Sequence, residues 1–257
     1  MIQIHSTAIV EQGAVLASDV EIGAYAYIGG EAMIGAGTTI HHHATVEGKT
    51  ALGKGNRICA YAFLGGQTQD LKYKGESAGL NIGDNNIFRE YVTVHCGTRE
   101  GGMTSIGNDN AFLSHAHVAH DCTVGNHVIM SSLSALAGYV KVGDYVNIAW
   151  NAGVHQFCRI GDYAMLAGSS KAVMDVLPFM LAEGQSAKTR FFNKVNLERN
   201  HFSKEEIEHV KDIYRILFRF KENRSQSLAR LKENRHKAPK IYDCVINAIE
   251  QSERGFC

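Results

Sequence analysis

A parallel β-helix carrying a small helical appendage is the fold this sequence predicts, and two observations predict it. Aliphatic residues recur every six positions over most of the chain, and that rhythm stops near Leu181, where charged residues at helical spacing take over. The count begins at Val10 and runs through Leu16, Ile22, Ile28, Ile34, Ile40, Val46, Leu52, Ile58 and Leu64. It meets Asp70 and Glu76, returns at Ile82, Phe88 and Val94, meets Glu100, and then holds from Ile106 to Leu166. Of the 28 positions from Val10 to Ala172, 24 are large and apolar, the exceptions being Asp70, Glu76, Glu100 and Ala172. A period of six fits neither an amphipathic helix nor hairpin-linked strands. It fits short strands joined by turns, each hexad sending one aliphatic inward and each coil burying its face on the next. Gly residues such as Gly23, Gly53, Gly107 and Gly143 follow the aliphatic position, and 26 Gly against two Pro suits a backbone that turns constantly.

The two breaks in phase, about 67–77 and 97–104, are polar and predict loops that protrude from the column, where function is usually carried. Keeping them inside the coil would bury Asp70 and Glu76 unpaired. The column is expected to occupy residues 1–185, with a helical domain over 186–257. Ser203-x-x-Glu206 has the spacing of a capping box, and Ile207, Val210, Ile213, Tyr214 and Leu217 follow at helical intervals. A second helix is predicted to start near Ser225 or Ser227, and a third near Pro239.

With 26 Lys and Arg against 26 Asp and Glu, the chain has no global charge with which to hold nucleic acid or an anionic membrane. No run of 18 apolar residues spans a bilayer, and the first residues lack the pattern of a secretory signal. Six scattered Cys without a paired spacing fit free thiols, so a cytoplasmic, reduced setting is expected.

Chemistry concentrates at Ser114-His115-Ala116-His117-Val118-Ala119-His120-Asp121-Cys122, where three His and an Asp fall between the inward Phe112 and Val124. His41, His42 and His43 are expected to be solvated turn residues. With a coil of 18 residues, His120, Gly138 and Gln156 share one column at about 4.8 Å per coil. Asp121 and Tyr139 share the next, and His155 lies beside Gln156. An imidazole with a carboxylate beside it and a glycine N–H within reach suits general-base chemistry with oxyanion stabilisation. The spacing alone leaves open a hydrogen-bonded surface ladder. Cys122 and Cys158 lie two coils apart in one column, too far for a disulfide.

Four motifs narrow the reading: Gln69-Asp70-Leu71-Lys72-Tyr73, Ala116-His117-Val118-Ala119-His120-Asp121-Cys122-Thr123-Val124-Gly125-Asn126, Leu136-Ala137-Gly138 and Val154-His155-Gln156-Phe157-Cys158. Together they resemble the bacterial UDP-N-acetylglucosamine O-acyltransferases that begin lipid A synthesis, a family of hexapeptide-repeat acyltransferases. The resemblance implies a left-handed coil of triangular section. It also implies a homotrimer with the cleft between subunits, and transfer of a 3-hydroxyacyl chain from acyl carrier protein to the sugar 3-position. By that resemblance His120 is the general base, Asp121 supports it and Gly138 holds the oxyanion. Asp70, Lys72, His117, His155 and Gln156 bind the sugar nucleotide or shape the site. No metal or separate cofactor is implied, because the phosphopantetheine arm arrives with the donor.

Three departures from the family pattern stand out. Tyr139 replaces the usual His after the glycine, which bears on sugar binding and admits a 3-amino analogue of UDP-N-acetylglucosamine as acceptor. Asn196-Leu197-Glu198-Arg199-Asn200-His201-Phe202 keeps only Arg199 of a basic stretch toward phosphate or carrier protein, and Ser77 stands where the family has Pro. Gly168 falls at a position resembling the family's acyl-length stop, which implies a longer hydroxyacyl chain, although a glycine serving a coil turn fits equally. Three alternatives remain: the related N-acyltransferase, disfavoured because hexads begin by Val10; a non-catalytic scaffold; and a metal-dependent hydratase of the γ-carbonic anhydrase type. The last is invited by His115, His117 and His120, but Ala135 and Gly138 occupy the next-coil positions its ligands need.

Overall fold

The computed structural model describes residues 1–220 and 222–257. Strands mostly two residues long stack into three parallel sheets that form the faces of a triangular prism. The first face has eleven strands beginning with Gln3–Ile4, the second nine from Ile9–Val10 to Lys171–Ala172, and the third eight from Val15–Leu16 to Arg159–Ile160. Each coil visits the faces in that order, so the hexad is one face plus one edge. Regular rungs pair residues 18 apart, as Ile22 with Ile40 and Val118 with Leu136. Leu64 pairs with Val94 and Ile82 with Ile106, so the two insertions add twelve and six residues, whole hexads. That is why the apolar phase survives them. Met103 and Thr104, expected in the second loop, are strand residues of Met103–Ile106.

All but Val10 and Leu16 of the aliphatic column are buried, and Ala172, out of pattern by size, lies inward as well. A second inward column sits two residues earlier, filled by small residues such as Ala26, Ala44, Val92 and Ala116. In it Asn56, Asn86 and Asn110 form a buried ladder, Asn56 Oδ1 accepting from the Asn86 backbone N–H at 2.9 Å and Asn86 Oδ1 from that of Asn110 at 2.9 Å. Cys122 and Cys158 lie in this column, and burial pushes their thiols up to about 12 and about 11.

Most corners turn through a residue with positive φ, the second of the turn, as type II geometry requires. Aromatic side chains at these corners stack from coil to coil. On the edge between the first and second faces Tyr61, Tyr91 and His115 pile up at centroid spacings of 5.2 and 4.9 Å, and His43 stacks on Tyr61.

Met180–Glu183 joins the first face, and Lys188–Phe192 pairs with it antiparallel, reversing the chain and ending the rungs. Helix α1 (Lys194–Arg199) follows, then α2 (Lys204–Phe218), α3 (Arg224–Asn234) and α4 (Pro239–Glu250). The expected capping box forms at α2: Glu206 N–H donates to Ser203 Oγ, and Ser203 N–H to Glu206 Oε2. Helix α3 starts at Arg224, one residue before Ser225, and is capped by Asn223. The helices pack back on the last coils, where Asp175 bridges Phe256 and Arg159 Nη1 donates to Gln251.

Candidate active site

Both insertions leave the prism at the edge between the second and third faces, and the turn carrying His120 lies on that same edge. The coil count for this edge holds. Tyr139 N–H donates to His120 O at 3.1 Å and Phe157 N–H to Gly138 O at 3.2 Å, so His120, Gly138 and Gln156 are stacked. A Cβ built on Gly138 would lie 2.5 Å from His120 Cε1 and 2.6 Å from Nε2. Only glycine lets the ring rest there, and the reason is close approach rather than φ.

His120 and Asp121 side chains are 13% and 10% exposed, and Asp121 Oδ2 accepts from His120 Nδ1 at 2.8 Å. The second insertion closes over the pair. Thr98 N–H donates to Asp121 Oδ1 at 3.2 Å, and Thr98 Oγ1 lies 2.9 Å from His120 Nδ1. Asp121 N–H donates to Thr104 Oγ1 at 2.8 Å. With Nδ1–H committed to the carboxylate, Nε2 keeps its lone pair. Among the described residues no acceptor takes the Gly138 N–H.

A groove of about 620 Å³ opens beside this pair along the outer face of the second sheet. Its floor is the outward column His117, Ala135, Gly153 and Lys171, which drops from an imidazole to a methyl group to no side chain before rising again at Lys171. A Cβ on Gly153 would meet no atom within 4 Å, so the floor there is open. His117, His120, Gly138 and His155 line the groove with Gln69 from the first insertion. That volume is typical of a small-molecule site.

The remaining candidate residues divide. Tyr139 meets His120 edge-on at 5.4 Å and stacks on Phe157 at 4.9 Å. Burial, with the Asp121 charge behind it, holds its phenol above the usual range. Asp70 folds its loop by accepting from Lys72 N–H at 2.9 Å, while Lys72 and Gln156 are exposed. Gly168 turns the edge between the first and second faces, with only Trp150 O within 4 Å of a Cβ placed on it. Arg199 is exposed on α1, and Asn196 anchors that helix to Tyr145 O at 2.7 Å, on the edge between the third and first faces. Arg199 therefore does not join His120 within one chain. Nor does His115, whose convergence with His117 and His120 is corrected here: the chain turns a corner between them, and His115 stacks on Tyr91 across the second face. Among the described residues no three His, Cys, Asp or Glu side chains form a metal cradle.

Sequence reasoning missed Thr98, Arg99 and His95. Arg99 sets its guanidinium 5.8 Å from the Tyr139 ring centroid. His95 is 6% exposed, meets His117 edge-on at 5.0 Å, and its Nδ1 has no hydrogen-bond partner among the described residues. Burial, reinforced by His117 and His120, pushes it down to about 4. Its contribution to stability is therefore complete above pH 6.5 and is lost as pH falls, because the unfolded chain binds this proton first. About 2 kcal/mol should be gone by pH 5. His95→Leu should flatten that slope in thermal melts from pH 7 to 5; parallel slopes for variant and wild type would exclude His95 as the origin.

A family model described as UDP N-acetylglucosamine O-acyltransferase, domain 2, matches residues 175–257. A curated relative from Thermodesulfovibrio yellowstonii, the acyl-[acyl-carrier-protein]–UDP-N-acetylglucosamine O-acyltransferase, is 42% identical over 258 residues, covering 100% of both chains. The chain belongs to the UDP-N-acetylglucosamine O-acyltransferase family. Solved members agree along the whole column. The Francisella novicida UDP-N-acetylglucosamine acyltransferase matches with a TM-score of 0.96 at 35% identity, over 100% of this chain and 93% of its own. The Moraxella catarrhalis UDP-N-acetylglucosamine O-acyltransferase matches at 0.94 and 39% identity, over 98% of each chain. The family's fold is the left-handed parallel β-helix with a small helical C-terminal part.

Proposed function

We propose that this chain transfers a 3-hydroxyacyl group from the thioester of an acyl carrier protein to the 3-position of UDP-N-acetylglucosamine, or of its 3-amino analogue, at the start of lipid A synthesis. The observation that supports this best is the His120 imidazole, braced at Nδ1 and resting against Gly138 at the mouth of the groove. His120 Nε2 removes the proton from the acceptor group as its oxygen or nitrogen attacks the thioester carbonyl. The new bond forms, and the carbonyl oxygen takes up negative charge beside the Gly138 N–H. Collapse breaks the C–S bond, and the imidazolium returns its proton to the leaving thiolate. Asp121 holds the ring in the competent tautomer throughout. Asp70, Lys72, His117, Tyr139, His155 and Gln156 receive the sugar nucleotide, and the acyl chain follows the small-residue floor toward Gly168. The donor brings its own phosphopantetheine arm, so this chemistry calls for no further cofactor. A cytoplasmic location fits a carrier-protein donor, and among the described residues no helix is long and apolar enough to cross a membrane.

The test is purified protein with UDP-N-acetylglucosamine, its 3-amino analogue and hydroxyacyl carrier proteins of graded length, products weighed by mass spectrometry. An acylated sugar nucleotide made best from the longer donors is expected. No product from any pair would overturn the assignment, and preference for short donors would remove the role given to Gly168.

We infer a homotrimer whose neighbouring subunit supplies Arg199, since that residue lies on a different edge from His120. His120→Ala and Arg199→Ala chains, each impaired alone, should complement when refolded together, with about a quarter of sites regaining both groups. Mixed assemblies no more active than the parents would confine the site to one subunit.

A further inference from the structure

The two insertions meet each other as well as the site. Thr68, in the first, and Thr98, in the second, are each 7% exposed, and their hydroxyls lie 3.0 Å apart. The directions of the bonds around them follow from chemistry. The Asp121 carboxylate only accepts, so the proton 2.8 Å away belongs to His120 Nδ1. Thr98 Oγ1, 2.9 Å from that same nitrogen, then shares the Nδ1–H as a second acceptor, because a protonated Nδ1 has no lone pair to give. Its own hydroxyl proton must go elsewhere, and Thr68 Oγ1 is the acceptor at hand. Thr68 Oγ1 also accepts the backbone N–H of Asp70 at 3.2 Å. A directed chain thus runs from His120 Nδ1–H to Thr98 and on to Thr68, where the Asp70 amide also arrives. Thr98 grips the dyad twice, because its backbone N–H holds the other Asp121 oxygen.

We propose that Thr98 is a positioning residue for the transfer reaction, and that its bond to Thr68 couples the loop carrying Asp70 and Lys72 to the orientation of His120. This rests on the function proposed above. A sugar nucleotide bound by that loop holds Thr68 in place, which aims the hydroxyl of Thr98 as a second acceptor and so keeps the ring, whose Nδ1 proton Asp121 already fixes, turned with Nε2 toward the groove. The chain carries no proton during turnover; it selects one arrangement of the ring.

Thr98→Val removes the hydroxyl, keeps the shape and leaves the backbone N–H to Asp121. Its kcat should fall about thirtyfold, the scale of one hydrogen bond to a charged group, with KM for the sugar nucleotide within about twofold. Thr98→Ser should restore most of the rate, and Thr68→Val, which leaves Thr98 without its acceptor, should cost a smaller factor of about threefold to fivefold. In the free protein, the Nδ1–H signal of His120 should be sharp and slow to exchange with water in wild type, and broader and faster to exchange in Thr98→Val, where the ring is held by Asp121 alone. Wild-type kcat in Thr98→Val, a loss confined to KM, a loss that Ser does not repair, or an unchanged Nδ1–H signal would each overturn the proposal. Absence of acylated product with wild-type protein would instead refute the transfer reaction, and the Nδ1–H signal would still decide the wiring.

Discussion

His120→Ala should lower kcat about a thousandfold while leaving the fold intact. The magnitude follows from the role proposed for it: a general base held against Gly138, whose loss leaves the proposed oxyanion donor and the groove in place. Some rate above background therefore remains. The structural cost is small because the side chain lies outside the prism, at an edge, with its hydrogen bonds directed to Asp121 and Thr98. Melting temperature and oligomer mass should stay close to wild type. A variant that keeps a tenth or more of the turnover would remove His120 from the reaction and revive the non-catalytic scaffold.

Gly138→Ala should be nearly as damaging to kcat, about a hundredfold or more, by a different route. The backbone at Gly138 is outside the left-handed region, so alanine is tolerated conformationally and slightly restricts the unfolded chain. That gain is offset by displacement of the His120 ring, so the protein should still fold and melt near the wild-type temperature. The new Cβ, however, falls 2.5 to 2.6 Å from two atoms of the His120 ring, well inside contact distance. The ring must swing away, and in doing so it gives up Asp121 and Thr98. Steady-state kinetics beside a melting curve would separate the effects. A stable variant with more than a third of wild-type kcat would show that the ring has no need of that turn.

The column was legible because hydrophobic burial repeats at the period of the backbone that produces it, and 18-residue spacing carried His120 onto Gly138 without any coordinates. The second inward column was harder to read. Ala26 and Ala116 are too small to stand out, and Asn86 and Asn110 hide their burial behind polar chemistry that the ladder satisfies internally. His115 shows the opposite failure: five residues from His120 in sequence, it is a face away, because the chain changes direction every hexad. Thr98 and Arg99 were invisible for a further reason. They sit in an insertion, where the coil count says nothing about which residue folds over the edge. Lys188–Phe192 was not foreseen as a strand, since it has no hexad and joins its sheet in reverse.

Asp121 takes one of the left-handed corners, at φ 58°. Most L side chains are penalised there by about 1 kcal/mol or more, and Asp, Asn and Gly are penalised least. Asp therefore turns this corner at little backbone cost while its carboxylate accepts from His120 and from the Thr98 N–H. Endurance and turnover thus draw on the same residue, and a laboratory selection for thermal survival alone should keep Asp121 as firmly as a selection for activity.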